Sequence, residues 1–239
     1  FYSLCYLFMI FFIASVIGYL VEITFCSIGS KKLVINRGFL IGPYIPIYGV
    51  GTVLVVLFLY KYSNDPWVFF WMTVILCSFI EYVTSYIMEK IFKVRWWDYS
   101  HEPFNYNGRI CLKNSLIFGF AGLIVLYTIY PFICGILDVM SSFWLEVVAS
   151  FLFVVFMVDL GFTTFTLLNL RTSLKKFKGK DVTELAHEEV MSAVRKHNFS
   201  ISRILQAFPH SEMANQKYYN DFRDAVIKYR KDKKKKKTK

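Results

Sequence analysis

Residues Tyr2–Ile28 read YSLCYLFMIFFIASVIGYLVEITFCSI, a run of 27 positions with one charge, Glu22. A helix of that length rises about 40 Å at 1.5 Å per residue, more than the roughly 30 Å of a bilayer's hydrocarbon core. The run has no basic n-region and no small-residue cleavage site, so it is expected to stay in the protein as a span. The chain opens on Phe1 rather than Met, and preceding residues are expected.

Four further apolar runs follow, at about Ile41–Tyr60, Trp67–Ile91, Leu112–Ile133 and Phe143–Leu170. Hydrophobic residues make up 56% of the 239, more than a single soluble core needs. The 25 Phe and 16 Tyr suit a surface that faces lipid and anchors at its edges. The expected fold class is therefore all-α: a polytopic transmembrane helical bundle of about five spans over residues 1–170. A small, basic, helical tail is expected over residues 171–239.

The net charge of +11 resides in that tail. Through Leu170 nine Lys or Arg are balanced by nine Asp or Glu, which leaves 19 of the 28 basic and 8 of the 17 acidic residues beyond it. A nucleic-acid partner is not expected. Orientation follows from the basic loops. Lys31, Lys32 and Arg37 follow the first run, and Lys93, Arg95 and Arg109 follow the third. The loop after the second holds only Lys61, and Pro131–Ser142 holds no basic residue. With five spans every basic loop lies on the tail's side, which puts the N-terminus outside and the C-terminus in the cytoplasm. The expected location is multi-pass in a membrane.

The tail reads as two amphipathic helices, the first capped near Asp181 and the second starting near Ser211. Lys233–Lys237 is an unbroken lysine run, either a solvated terminus or a contact with anionic lipid. The five cysteines lie in apolar surroundings without metal-ligand spacing, so no metal site and no cofactor are expected. No Walker A, GxSxG or HExxH pattern occurs and no catalytic residue is assigned, so ATP-driven work would need the ATPase of another chain.

Acids inside spans are costly and face a partner or a cavity. Glu22, Glu81 and Asp159 all fall in the half of the bundle toward the tail, and Arg37 and Arg109 enter from loops at that level. These five residues form a candidate cluster, either a site for a polar substrate or lipid headgroup, or ion pairs that fix helix packing. Gly42-Pro43-Tyr44-Ile45-Pro46 cannot open as a regular helix, and reads as an interfacial entry loop or as part of a site. The paired Trp96 and Trp97 read as an interface anchor.

Two long motifs carry a resemblance. Asn36-Arg37-Gly38-Phe39-Leu40-Ile41-Gly42-Pro43-Tyr44-Ile45-Pro46-Ile47-Tyr48-Gly49 is one. The other is Trp97-Asp98-Tyr99-Ser100, then Pro103-Phe104-Asn105, then Asn107-Gly108-Arg109-Ile110-Cys111-Leu112. With Glu22 and Glu81, they make the first 170 or so residues similar to the bacterial putative ABC-transporter permease family, also described as ABC-transporter type IV or CmpB-like. The resemblance implies a permease-like subunit that moves an unknown substrate with a separate ATPase and oligomerises to enclose a path. The alternative is a membrane protein that binds or acts on phospholipid headgroups through the Arg/Glu cluster.

Overall fold

The computed structural model describes residues 1–30, 38–92, 94–177 and 212–213. Arg37 and Asn36, the lysines Lys31 and Lys32, the first expected tail helix and the lysine run lie outside the described residues. Of the second expected tail helix only Glu212–Met213 is described, and it is a strand rather than a helix.

The helices in chain order are α1 (Tyr2–Ser30), α2 (Pro46–Leu59) and α3 (Pro66–Phe92), then α4 (Leu112–Ile124), α5 (Tyr130–Asp138) and α6 (Ser142–Phe177). Between α3 and α4 lie the two-residue strands β1 (Val94–Arg95), β2 (Asn105–Tyr106) and β3 (Ile110–Cys111); β4 (Glu212–Met213) pairs antiparallel with β1. The described chain is thus mostly helical.

Tyr2–Ile28, Pro66–Phe92, Leu112–Asp138 and Ser142–Asn169 are long and apolar enough to cross a membrane. The second apolar run behaves differently. Its helix starts only at Pro46, and its 14 residues give about 21 Å, short of a hydrocarbon core even with the 3-10 turn Tyr60–Tyr62 that extends it. Residues 38–45 are non-helical and run from the end of α3, where Phe39 packs against Phe92 and Trp96, to the middle of α1, where the Ile45 N–H donates to the Ser15 carbonyl at 3.0 Å.

The fourth run extends further than its composition implies. A π-helical turn, Val125–Ile129, joins α4 to α5, so the helix passes through Pro131 and ends at Asp138. Pro131 sits in the first turn of α5, where its missing N–H costs least, and the widened π turn takes up the irregularity. The loop before α6 begins at Val139, not at Pro131.

α1 and α2 approach closely at Gly49, where a Cβ would run into the Ser15 hydroxyl and the Phe11 carbonyl. Such small-residue contacts suit helices whose association rests on close packing rather than on water exclusion. Cys5, Met9 and Ile10 pack with Ile133, Leu137 and Leu145 at one end of the bundle, and Phe92, Trp96 and Leu167 pack at the other. Phe79, Phe120, Phe151 and Phe165 face outward. Trp96 is not an interface anchor: only 5% exposed, it is buried among Phe39, Phe92 and Leu167.

Candidate functional site

The segment from β1 to β3 folds back along the second half of α3. Its turn is Tyr106-Asn107-Gly108-Arg109, closed by the Arg109 N–H on the Tyr106 carbonyl at 3.1 Å. Asn107 and Gly108 both have positive φ, 53° and 64°, the geometry of a hairpin turn whose twist matches its strands. A Cβ on Gly108 would collide with the Asp98 carboxylate and the Ser100 hydroxyl.

Most of the second motif knits this hairpin together. Asp98 Oδ1 accepts from the Ser100 amide at 3.0 Å, the Ser100 hydroxyl at 2.6 Å and Arg95 Nη1 at 3.3 Å. Burial raises the Asp98 carboxyl, but the Ser100 donors and the Arg95 charge outweigh it and hold the group below the usual carboxylate range. Asn105 donates to the Glu102 carbonyl at 2.8 Å and accepts from the Gly108 amide at 3.1 Å. The Trp97 indole N–H donates to the Arg109 carbonyl at 3.1 Å.

Three side chains of the hairpin are thereby aimed at α3. The Tyr99 hydroxyl donates to Glu81 Oε1 at 3.1 Å, and Asn107 donates to the Tyr82 hydroxyl at 3.3 Å. Arg109 donates from Nη1 to Ser85 Oγ at 3.3 Å and pairs through Nη2 with Glu89 Oε2 at 3.0 Å. Its guanidinium also lies 5.7 Å from the Tyr82 ring centre and 5.4 Å from that of Tyr86. Glu89 Oε2 accepts a second cation, Arg95 Nε, at 3.3 Å. Burial, then the Glu81 charge, pushes the Tyr99 phenol far above its usual range, so it stays a donor.

Glu81 is 6% exposed, and its second oxygen, Oε2, has no hydrogen-bond partner. Glu22 lies across Tyr48, whose hydroxyl donates to Glu22 Oε2 at 3.1 Å. Tyr48 is within electrostatic reach of Glu81 as well.

Asp159 on α6 lies apart from them. Its Oδ1 accepts from the Ile41 amide at 3.0 Å and the Thr163 hydroxyl at 3.0 Å, while Oδ2 accepts from the Gly42 amide and the Tyr44 hydroxyl, both at 2.7 Å. Non-helical backbone at membrane depth must have its donors satisfied by protein or water. Here one carboxylate satisfies two amides of the Gly-Pro loop.

The family described as "Putative ABC-transporter type IV" matches residues 9–164. The chain belongs to this family. No curated protein and no solved structure matches it. The resemblance carried by the two motifs therefore holds, and the match takes in α1 through most of α6. The tail lies beyond it.

Within this ABC-transporter type IV chain, the four described candidate residues separate into three groups. Glu22 accepts from Tyr48, which is within electrostatic reach of Glu81. Arg109 reaches α3 one turn further along, and its ion pair is with Glu89, a residue the sequence reading passed over. Asp159 holds the loop, and Arg37 lies outside the described residues. Glu89 sits three residues before the end of α3, where an acid beside Lys90 and a basic loop attracts no notice. Its place eight residues after Glu81, two helical turns along, was the available signal. Among the described residues, no three His, Cys, Asp or Glu side chains converge as metal ligands.

Proposed function

We propose that the chain is the membrane-embedded, permease-like subunit of an ATP-driven transporter, working with an ATPase on a separate chain. The family match supports the transporter class, and the helices of membrane length support the setting. One observation carries the reading furthest. Glu81 is a buried carboxylate in a helix long enough to cross a membrane, with one oxygen unpaired. Ionisable groups at such depth are costly and mark pathways for substrates and ions.

In this reading α2 completes a fifth crossing together with the loop before it, the N-terminus is outside, and the tail is in the cytoplasm of a bacterial cell. The lysine run touches anionic lipid, and copies of the chain assemble around the path. The headgroup-binding alternative has less support. Arg95 and Arg109 already give their charge to Glu89 and Asp98, so neither is free for a phosphate.

The test is affinity purification of the tagged full chain from native membranes in mild detergent. A co-purifying nucleotide-binding protein is expected. Recovery of the chain alone, under conditions that keep other transporter complexes whole, contradicts the proposal.

A further inference from the structure

The polar side chains of α3 form a row. Thr73, Cys77, Glu81, Ser85 and Glu89 recur every four residues, and the row covers about 24 Å at 1.5 Å per residue. A four-residue step turns about 40°, so the row winds slowly around the helix and meets different neighbours along its length. At one end Thr73 is fully buried, with Oγ1 unpaired. At the other, Glu89 is closed by Arg95 and Arg109. Between them stands Glu81, 6% exposed and with Oε2 unpaired.

The sign of the site follows from what surrounds Glu81. The Tyr99 hydroxyl donates a hydrogen bond to one Glu81 oxygen. The Tyr48 hydroxyl, within electrostatic reach of Glu81, donates its hydrogen bond to Glu22. Among the described residues neither Glu22 nor Glu81 pairs with a lysine or arginine, because the two arginines at this level are held by Glu89 and Asp98. Two carboxylates bordered by tyrosine oxygens and rings offer acceptors and negative potential, and among the described residues no free lysine or arginine stands beside them for an anion. Among the described residues no third ligand converges on them, which argues against a transition metal.

We propose that Glu81 is the anchoring carboxylate of a site for a singly charged cation, an ammonium group or an inorganic monovalent ion. Glu22 and the Tyr48 hydroxyl complete its wall, and Tyr99 is a positioning residue that fixes the Glu81 carboxylate. This rests on the transport reading, whose substrate it assigns to the cationic class.

The experiment is equilibrium binding of radiolabelled methylammonium and of sodium to the purified full chain in nanodiscs of zwitterionic lipid. Saturable binding of at least one is expected, with affinity lowered about tenfold or more in Glu81→Gln and unchanged in Glu102→Gln. Methylammonium alone points to an amine substrate, and sodium alone to an inorganic ion. Glu81→Asp keeps the charge at shorter reach, so its binding should lie between wild type and Glu81→Gln. Tyr99→Phe should weaken binding and leave the stoichiometry intact. Size-exclusion profiles check that each variant is folded. If Glu81→Gln is not, the comparison of Glu81→Asp with wild type decides, and equal affinity there overturns the proposal. Absence of saturable binding of either ion to folded wild type overturns it too, as does equal binding in folded Glu81→Gln. The binding is read without an ATPase, so its failure and the failure to recover a nucleotide-binding partner are separate results.

Discussion

Arg109 gives its guanidinium to Glu89 at 3.0 Å and reaches Ser85 at 3.3 Å, yet Glu81, one turn beyond Ser85 on the same helix, receives a tyrosine hydroxyl instead. The hairpin thus separates two acids of α3 by function: Glu89 closes an ion-pair network, and Glu81 keeps an oxygen unspent. That separation depends on the turn at Asn107 and Gly108, which aims Arg109 at one level of α3 while Tyr99 reaches another.

Arg109→Ala should destabilise the protein. It strips Glu89 of one of its two cations, leaves Ser85 without its donor and removes the contacts with the Tyr82 and Tyr86 rings. The side chains are 11% and 35% exposed, so a loss of about 1–3 kcal/mol is expected, between the values for exposed and fully buried pairs. Arg109→Lys keeps the charge without the planar fork and should fall between. Thermal unfolding in detergent measures both.

Asp159→Asn tests the loop. An amide has one acceptor oxygen where the carboxylate has two, so two of the four donors from Ile41, Gly42, Tyr44 and Thr163 would meet an NH2 group. Each stranded donor costs about 1–3 kcal/mol. Lower thermal stability is expected, together with faster proteolysis within residues 38–45. Unchanged protection of that stretch would mean that Asp159 does not hold it.

Gly108→Ala should unfold the hairpin without unfolding the bundle. The added methyl meets Asp98 and Ser100, and alanine disfavours a φ of 64° by about 1–2 kcal/mol. Loss of the Tyr99–Glu81 and Arg109–Glu89 contacts should follow, visible as altered Trp96 and Trp97 fluorescence with helical content retained. Asn107→Gly relieves the backbone and loses only the bond to Tyr82, so it should cost less than Gly108→Ala.

Acid should loosen the same hairpin. The folded-state pKa of Asp98 lies below the ordinary 3.8, so its contribution is fully present above that value and is lost as pH falls through the lower, folded-state value. Asp98→Asn removes the term, so the variant should be less stable near neutrality and lose less on acidification. Tryptophan fluorescence titrated from neutral pH to below 3.8 measures it.

Much of this was legible in the residues and some was not. Apolar runs fix their own helices, because a membrane-length segment must satisfy its backbone internally. Glu81 announces itself, since a charge within such a run is costly and needs a partner or a cavity. The Gly42-Pro43 stretch declares that it is not a regular helix, but nothing local says that a carboxylate 117 residues later in the chain will bond its amides. Pro131 reads as a loop and lies in a helix, because a π turn absorbs it in a way no local pattern marks. The hairpin had a clear sign in Asn107-Gly108, the strongest short-range turn signal, beside Arg109, whose own role drew the eye elsewhere. Pairings such as Arg109 with Glu89 depend on how far the hairpin folds back, which is a tertiary distance and not a spacing.

The most direct measurement is ATP hydrolysis by the chain and its co-purified ATPase in nanodiscs, wild type against Glu81→Gln. A transport subunit in which Glu81 belongs to the substrate site should keep the complex assembled and change the coupled hydrolysis rate by about tenfold, the equivalent of about 1.4 kcal/mol. Equal rates in an equally assembled complex would contradict it and leave Glu81 as a packing residue.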